Sequence, residues 1–243
     1  MPRNEGIKMK NQMLRTINSA VLAAALATFA IMSPTTSHAG PATSGVFPPQ
    51  SSPYGKSYSQ WSAAWWQWLM SLPLDGHPGT DSPDFDVTEG QSGHVWFLTG
   101  PFGTIQRNVT IPAGTALYVA LVNVESSTLE EPPFYGATAA DQLAIANGFA
   151  SFITDLSFTL DGKTVNNIAD YRVTSPQFGF TAPSPWIFGE TGGTGLSTGV
   201  GYFVMLTPLS VGAHTIHYTG AFKFSEAPGD YIAVDMTYNV TVK

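Results

Sequence analysis

Four of the chain's six tryptophans fall in eight consecutive positions, within Gln60-Trp61-Ser62-Ala63-Ala64-Trp65-Trp66-Gln67-Trp68. Each indole has roughly 150–250 Å² to remove from water, so this run has to lie against something large. Its spacing says how. Ser57-Tyr58-Ser59-Gln60 has the form of a capping box, with Ser57 accepting from the Gln60 backbone N–H and Gln60 reaching back. The helix predicted over 57–72 ends where Pro73 and a Gly/Pro-rich segment stop it. Trp61, Trp65, Trp68, Leu69 and Leu72 then share one face, with Tyr58 at its start. Trp66 sits about 100° away, off that stripe and free to be exposed.

Ahead of this run, residues 1–39 carry the three parts of a secretory signal. Arg3, Lys8, Lys10 and Arg15 make the front basic, 20–32 is uncharged and mostly apolar, and Ser37-His38-Ala39 offers small residues for cleavage. The apolar run is shorter than the roughly 20 residues of a membrane span. Residues 40–56 read as a linker or arm, and 57–243 as a single domain, giving a soluble protein that is secreted or periplasmic. The chain has no cysteine, which excludes disulfides, zinc–thiolate sites and a thiol nucleophile. Residues 40–243 hold six basic and sixteen acidic side chains, a field that repels nucleic acid.

After the helix the pattern turns to short strands. Segments 93–99 and 105–111 flank Gly100-Pro101-Phe102-Gly103 and read as a hairpin. Segments 116–122 and 200–206 are nearly all apolar, as expected of strands buried on both faces. A second helix is predicted near 138–153, with Thr138 and Asp141 at its start. Asp161-Gly162 is a two-residue turn signal, and 171–181 holds one or two strands around Pro176. Segment 189–199 is glycine-rich, lacks the ending of a phosphate loop, and reads as a flexible loop. In 232–242 apolar and polar residues alternate strictly, the mark of a sheet with one wet face. Nine or ten strands follow one another through turns, so the expected fold is all-β: an antiparallel sandwich of jelly-roll or immunoglobulin-like type with two helices.

Candidate chemistry is sparse. Glu125, Glu130 and Glu131 follow a buried strand, where a glycosidase places its carboxylates. Asp81, Asp84 and Asp86 lie in one loop at a spacing that suits calcium, without the glycine or terminal glutamate of a helix–loop–helix calcium loop. No other cofactor is indicated. His214 and His217 are three apart, so on a strand they face opposite ways. No Gly-x-Ser-x-Gly elbow supports Ser/His/Asp chemistry. Trp66, Gln91, Arg107 and Asn123 are the candidate ligand contacts, with Arg107 also expected to pair with a carboxylate such as Glu125. The reading is a non-catalytic binding or surface-assembly module whose partner is carbohydrate or another cell-surface chain. The alternative is a carbohydrate-active hydrolase using these loop carboxylates.

The stretch 58–68, together with Gly90-Gln91-Ser92-Gly93-His94-Val95-Trp96-Phe97-Leu98, Val109-Thr110-Ile111-Pro112-Ala113-Gly114, 171–176 and 208–216, resembles a family of exported microbial proteins without an assigned activity. The resemblance implies export and a single domain, and carries over no catalytic residue or substrate. Members carry a cysteine shortly before the Gly90-Gln91 pair and another near Asn108. The resemblance implies a disulfide between the first strand and its hairpin partner that this chain has lost.

Overall fold

The computed structural model describes residues 45–243 apart from 83, 226 and 228. The expected signal segment and the first residues of the arm lie outside the described residues. Among these, ten strands form two sheets and two α-helices accompany them. The order is α1 (Tyr58–Ser71), β1 (Val95–Leu98), β2 (Gly103–Ile111), β3 (Ala116–Ser127), α2 (Ala139–Ala150) and β4 (Ile153–Leu160). Then come β5 (Lys163–Thr164), β6 (Arg172–Thr174), β7 (Phe178–Ala182), β8 (Gly193–Leu206), β9 (Gly212–Lys223) and β10 (Tyr231–Val242).

The first sheet runs β1-β3-β8, with β6 and β7 sharing the far edge of β8; the second runs β2-β10-β9-β4-β5. Both are mixed. β1 pairs with β3 in parallel, β2 pairs with β10 in parallel, and the remaining strand pairs are antiparallel. The expected hairpin between β1 and β2 does not form. Gly100-Pro101-Phe102 carries the chain from one sheet to the other, so the two strands are not neighbours and the implied disulfide would have no hairpin to join.

The alternation in β10 is realised as read: Ile232, Val234, Met236, Tyr238, Val240 and Val242 are all buried. β3 is buried along almost its whole length because both of its faces are covered. One faces the second sheet, and the other lies under the two helices. Asp161-Gly162 makes the predicted turn, both residues having positive φ, 51° and 73°. Both helices start with complete capping boxes, Ser57 with Gln60 and Thr138 with Asp141.

The tryptophan stripe is buried as its period requires, and its ring N–H groups reach carbonyls of three other segments. Trp61 Nε1 donates to the Pro53 carbonyl (2.9 Å), Trp65 Nε1 to Leu98 (3.3 Å) and Trp68 Nε1 to Glu89 (3.0 Å). The Tyr58 hydroxyl donates to Phe47 O (2.7 Å) and accepts from Met205 N–H (3.0 Å). The arm is held in the same way. Val46 bridges Leu206 antiparallel, and Phe47 N–H donates to Met205 O (2.9 Å), extending the edge of β8 that β6 and β7 occupy.

Arg107 shows the same logic with a charge. Its side chain is buried and its hydrogen bonds go to Pro78 O (2.9 Å), Thr80 O (2.7 Å), Thr99 O (3.2 Å) and the Tyr238 hydroxyl (3.3 Å). Its guanidinium lies 3.9 Å over the Phe85 ring. The expected carboxylate partner is replaced by carbonyls, because β2 faces the returning 74–89 loop and not Glu125. Replacing Arg107 with Met strands these buried acceptors, each worth about 1–3 kcal/mol. Urea unfolding of R107M followed by tryptophan fluorescence is expected to show a loss of about 3 kcal/mol or more, with R107K recovering only part of it.

Candidate functional site

β1 is four residues long and its pairing ends at Leu98–Val119, so among the described residues no strand continues along that edge of β3 beyond this point. There β3 carries a bulge. Ala120 stands opposite Phe203 and Asn123 opposite Gly201, leaving Leu121 and Val122 against one residue. The extra residue reverses which side chains face the helix. Before the bulge Tyr118 turns toward α1, its hydroxyl donating to Tyr58 O (2.9 Å). After it, Val122 turns toward Gly220 on β9, and Asn123 and Glu125 come to the α1 side.

The next segment folds back over this edge. Ser127 N–H donates to Phe134 O (3.1 Å), Gly136 N–H to Ser127 O (3.0 Å) and the Ser126 hydroxyl to Phe134 O (2.8 Å). That reversal buries Glu130 and leaves Glu131 exposed. α1, the bulged edge and the reversal enclose a cavity of about 110 Å³, whose wall includes Trp66, Asn123, Glu125, Glu130, Phe134 and Phe188. Glu125 is 4% and Glu130 5% exposed. Glu125 Oε2 accepts from the Ser197 hydroxyl at 2.7 Å.

Trp66 departs from the helical reading. It is 2% exposed, because α1 is covered on a second side by β7, β8 and the 183–192 segment. Its ring meets Trp65 edge-on at 4.7 Å and tilts against Phe188 at 6.4 Å. What admits it is Gly199, where a Cβ would stand 2.1 Å from Trp66 Nε1. The glycine-rich segment expected as a loop is therefore strand from Gly193 onward. Its glycines mark close approaches: a Cβ at Gly195 would lie 2.8 Å from the Phe180 ring, and one at Gly201 2.3 Å from Asn123 Cβ. The signal was present in Gly193, Gly195, Gly199 and Gly201, all of one parity.

The other candidate residues lie elsewhere. Gln91 clamps the edge strand β1, donating to Phe97 O (2.7 Å) and accepting from Phe97 N–H (2.9 Å), and so occupies an edge another strand could pair with. Asp81, Asp84 and Asp86 are exposed, and Asp86 accepts from Thr88 N–H and its hydroxyl. Among the described residues no three His, Cys, Asp or Glu side chains gather at a spacing that could hold a metal ion.

His214 and His77 each bond through both ring nitrogens. His214 Nδ1 lies 2.8 Å from Asp161 Oδ2, and its Nε2 is 3.2 Å from the Ser210 hydroxyl and 2.9 Å from Ser210 O. A carbonyl only accepts, so Nε2 carries a proton and is no base for the hydroxyl. The hydrogen bond to Asp161 raises the pKa of His214. Burial pushes the Asp161 carboxyl up, but the hydrogen bonds from His214 and Thr215 outweigh it and hold the group below its usual value. His77 is the reverse case. It is buried beside the cavity wall, Nε2–H donating to Leu69 O (3.0 Å) and Nδ1 accepting from Gly79 N–H (3.0 Å), which fixes the neutral ring. Burial lowers its pKa from 6.5 to about 4, against the hydrogen bond to Leu69.

No protein-family model and no curated protein matches the chain. Solved structures it matches weakly include the cysteine protease inhibitor EhICP2 from Entamoeba histolytica. That match has 12% identity and a TM-score of 0.22, over 61% of this chain and 96% of that one. Another is the solution structure of Amebosin, at 13% identity and TM-score 0.22, over 63% and 100%. Likeness at this level carries no argument about activity.

Two outcomes test this geometry. Gly199→Ala forces the Trp66 ring to move, and equilibrium unfolding is expected to show a loss of about 1–3 kcal/mol, with a changed near-ultraviolet circular dichroism signal. His77 binds a proton more readily unfolded than folded, so its contribution is fully present above pH 6.5 and is lost as pH falls toward 4. About 3 kcal/mol should disappear across that window, measured by unfolding at stepped pH, and His77→Gln should flatten the profile.

Proposed function

We propose that the protein is an exported, non-catalytic binding module whose ligand site is the cavity beneath α1. The observation that carries this reading is the cavity itself. The bulge in β3, the small residue at position 199 and the reversal at 128–136 together bring Trp66, Asn123, Glu125 and Glu130 to one wall. Export to the secreted or periplasmic space is supported by the 1–39 pattern and by the family resemblance, which also implies a single domain. No helix among the described residues is long and apolar enough to cross a membrane.

The size of the cavity favours a small molecule over the polymer suggested by exposed aromatic rings. An apolar cavity of roughly 150 Å³ takes a benzene molecule, and this one is somewhat smaller. With Trp66 buried, the flat stacking platform a polysaccharide needs is not offered by α1.

The hydrolase alternative keeps one supporting observation, that Glu125 and Glu130 both reach the same wall. Incubation with a panel of aryl glycosides decides between the readings. No product release is expected; release that is lost in E125Q or E130Q would replace the binding module with a hydrolase. Binding is read separately by nuclear magnetic resonance during screening of small molecules. The indole N–H of Trp66 is expected to shift on binding, while that of Trp61, bonded to Pro53 O, stays in place.

A further inference from the structure

We infer that the protein has a second binding site, a groove that takes an acidic sugar, a pyranose ring carrying a carboxylate. The groove lies between α1, the 53–56 turn and the 90–97 segment. It shares no lining residue with the cavity beneath α1 and stands whether or not that cavity binds a ligand. Its volume is about 430 Å³, within the roughly 300–1,000 Å³ of small-molecule sites. Its walls are fixed from behind. Trp61 Nε1–H holds the turn through Pro53 O, Trp68 Nε1–H holds the next loop through Glu89 O, and Gln91 clamps Phe97. Gly90 has a φ of 64°, and a Cβ there would stand 2.7 Å from Leu72 Cδ2 and 3.1 Å from Trp68 Nε1. The rim at 90–93 therefore sits directly on the helix.

The lining is the first argument. Tyr54, Trp61, Trp68 and Phe97 all face this space. Trp61 and Trp68 form a buried floor, while Tyr54 is 45% exposed and Phe97 half-buried. The accessible ring is thus one that α1 does not carry. Tyr54 has a left-handed backbone, φ 54° and ψ 32°, which is unfavourable for a bulky side chain. Phe47 meets its ring edge-on at 6.1 Å. The fold so holds a large ring in water at a cost of about 1–3 kcal/mol, and such outliers gather at ligand clamps. A pyranose ring has C–H groups on its faces and hydroxyls around its rim. The faces match the aromatic rings. The hydroxyls match the polar rim of Ser92, His94 and the Tyr54 hydroxyl, which favours a sugar over an aromatic acid.

Charge is the second argument. Residues 40–243 are strongly acidic, yet Lys56 and His94 line the groove and no Asp or Glu does. Lys56 Nζ lies 4.7 Å from the centroid of the Trp61 ring, which places the ammonium over the aromatic floor. Lys56 is exposed, and among the described residues no carboxylate pairs with it. Its three N–H donors are therefore open to a carboxylate on the ligand. A neutral sugar leaves that charge unmatched, and a cation is repelled by it.

The test compares methyl β-D-glucuronide with methyl β-D-glucoside, the same ring with a hydroxymethyl group in place of the carboxylate. Each is titrated into the purified, isotope-labelled protein at low ionic strength while the indole N–H resonances are followed. The glucuronide is expected to shift Trp61 and leave Trp66 in place, and to bind about fivefold tighter than the glucoside. Salt at about 0.5 M is expected to bring the two within about twofold, and so is K56Q. If neither sugar shifts Trp61, the inference falls and the cavity beneath α1 is untouched as a site. A glucuronide that shifts Trp66 instead binds in that cavity, which also overturns it. Equal binding of the two sugars by the wild type, or a preference that survives both salt and K56Q, overturns the acidic sugar as the ligand. Should K56Q fail to fold, the wild-type salt series decides the part played by charge.

Discussion

The structure depends on the attachment of α1 to the outer face of the first sheet. Burying rings of roughly 150–250 Å² each supplies about 4–6 kcal/mol per ring before ordering costs. The direction comes from the hydrogen bonds. Trp61, Trp65 and Trp68 each aim a ring N–H at a carbonyl in a different segment: the arm at Pro53, the end of β1 at Leu98, and the loop at Glu89. One helix therefore gathers three connections that a cysteine-free chain cannot cross-link covalently. Arg107 does the same at the other side of β1, through the carbonyls of Pro78, Thr80 and Thr99. Both devices satisfy loop backbone with side-chain donors, which is what lets long irregular segments lie buried.

The cavity arises where this attachment meets an interrupted sheet. β1 stops short, β3 bulges, and the side chains beyond the bulge change sides. Had β3 stayed regular, Glu125 would have pointed between the sheets, where a carboxyl has nothing to meet but apolar side chains. The bulge turns it toward Ser197 and the α1 side. The glycines of β8 give the room, since Trp66 rests on Gly199 and Asn123 on Gly201. Site and fold are thus made by the same irregularities.

Much of the local structure was legible. The capping boxes at Ser57 and Thr138 are written in four-residue patterns, and a stripe such as Trp61, Trp65, Trp68 has one period to obey. The alternation of β10 and the doubly buried β3 follow from which residues tolerate water. What could not be read was who pairs with whom. Val95–Leu98 looks equally able to turn back on β2 or to lie along β3, because both choices bury the same side chains. Gly193–Gly199 was opaque for another reason: a glycine kept for lack of a side chain looks the same as one kept for flexibility.

By itself, then, the sequence determined the elements, their buried faces and the absence of covalent staples, because these depend on local hydrogen bonding and on residue-by-residue transfer from water. Tertiary structure alone decided the crossing from β1 to β2, the burial of Trp66 and the meeting of Asn123, Glu125 and Glu130 on one wall. Those outcomes hang on a one-residue bulge and on the space left at position 199, and both are set by contacts between segments more than seventy residues apart.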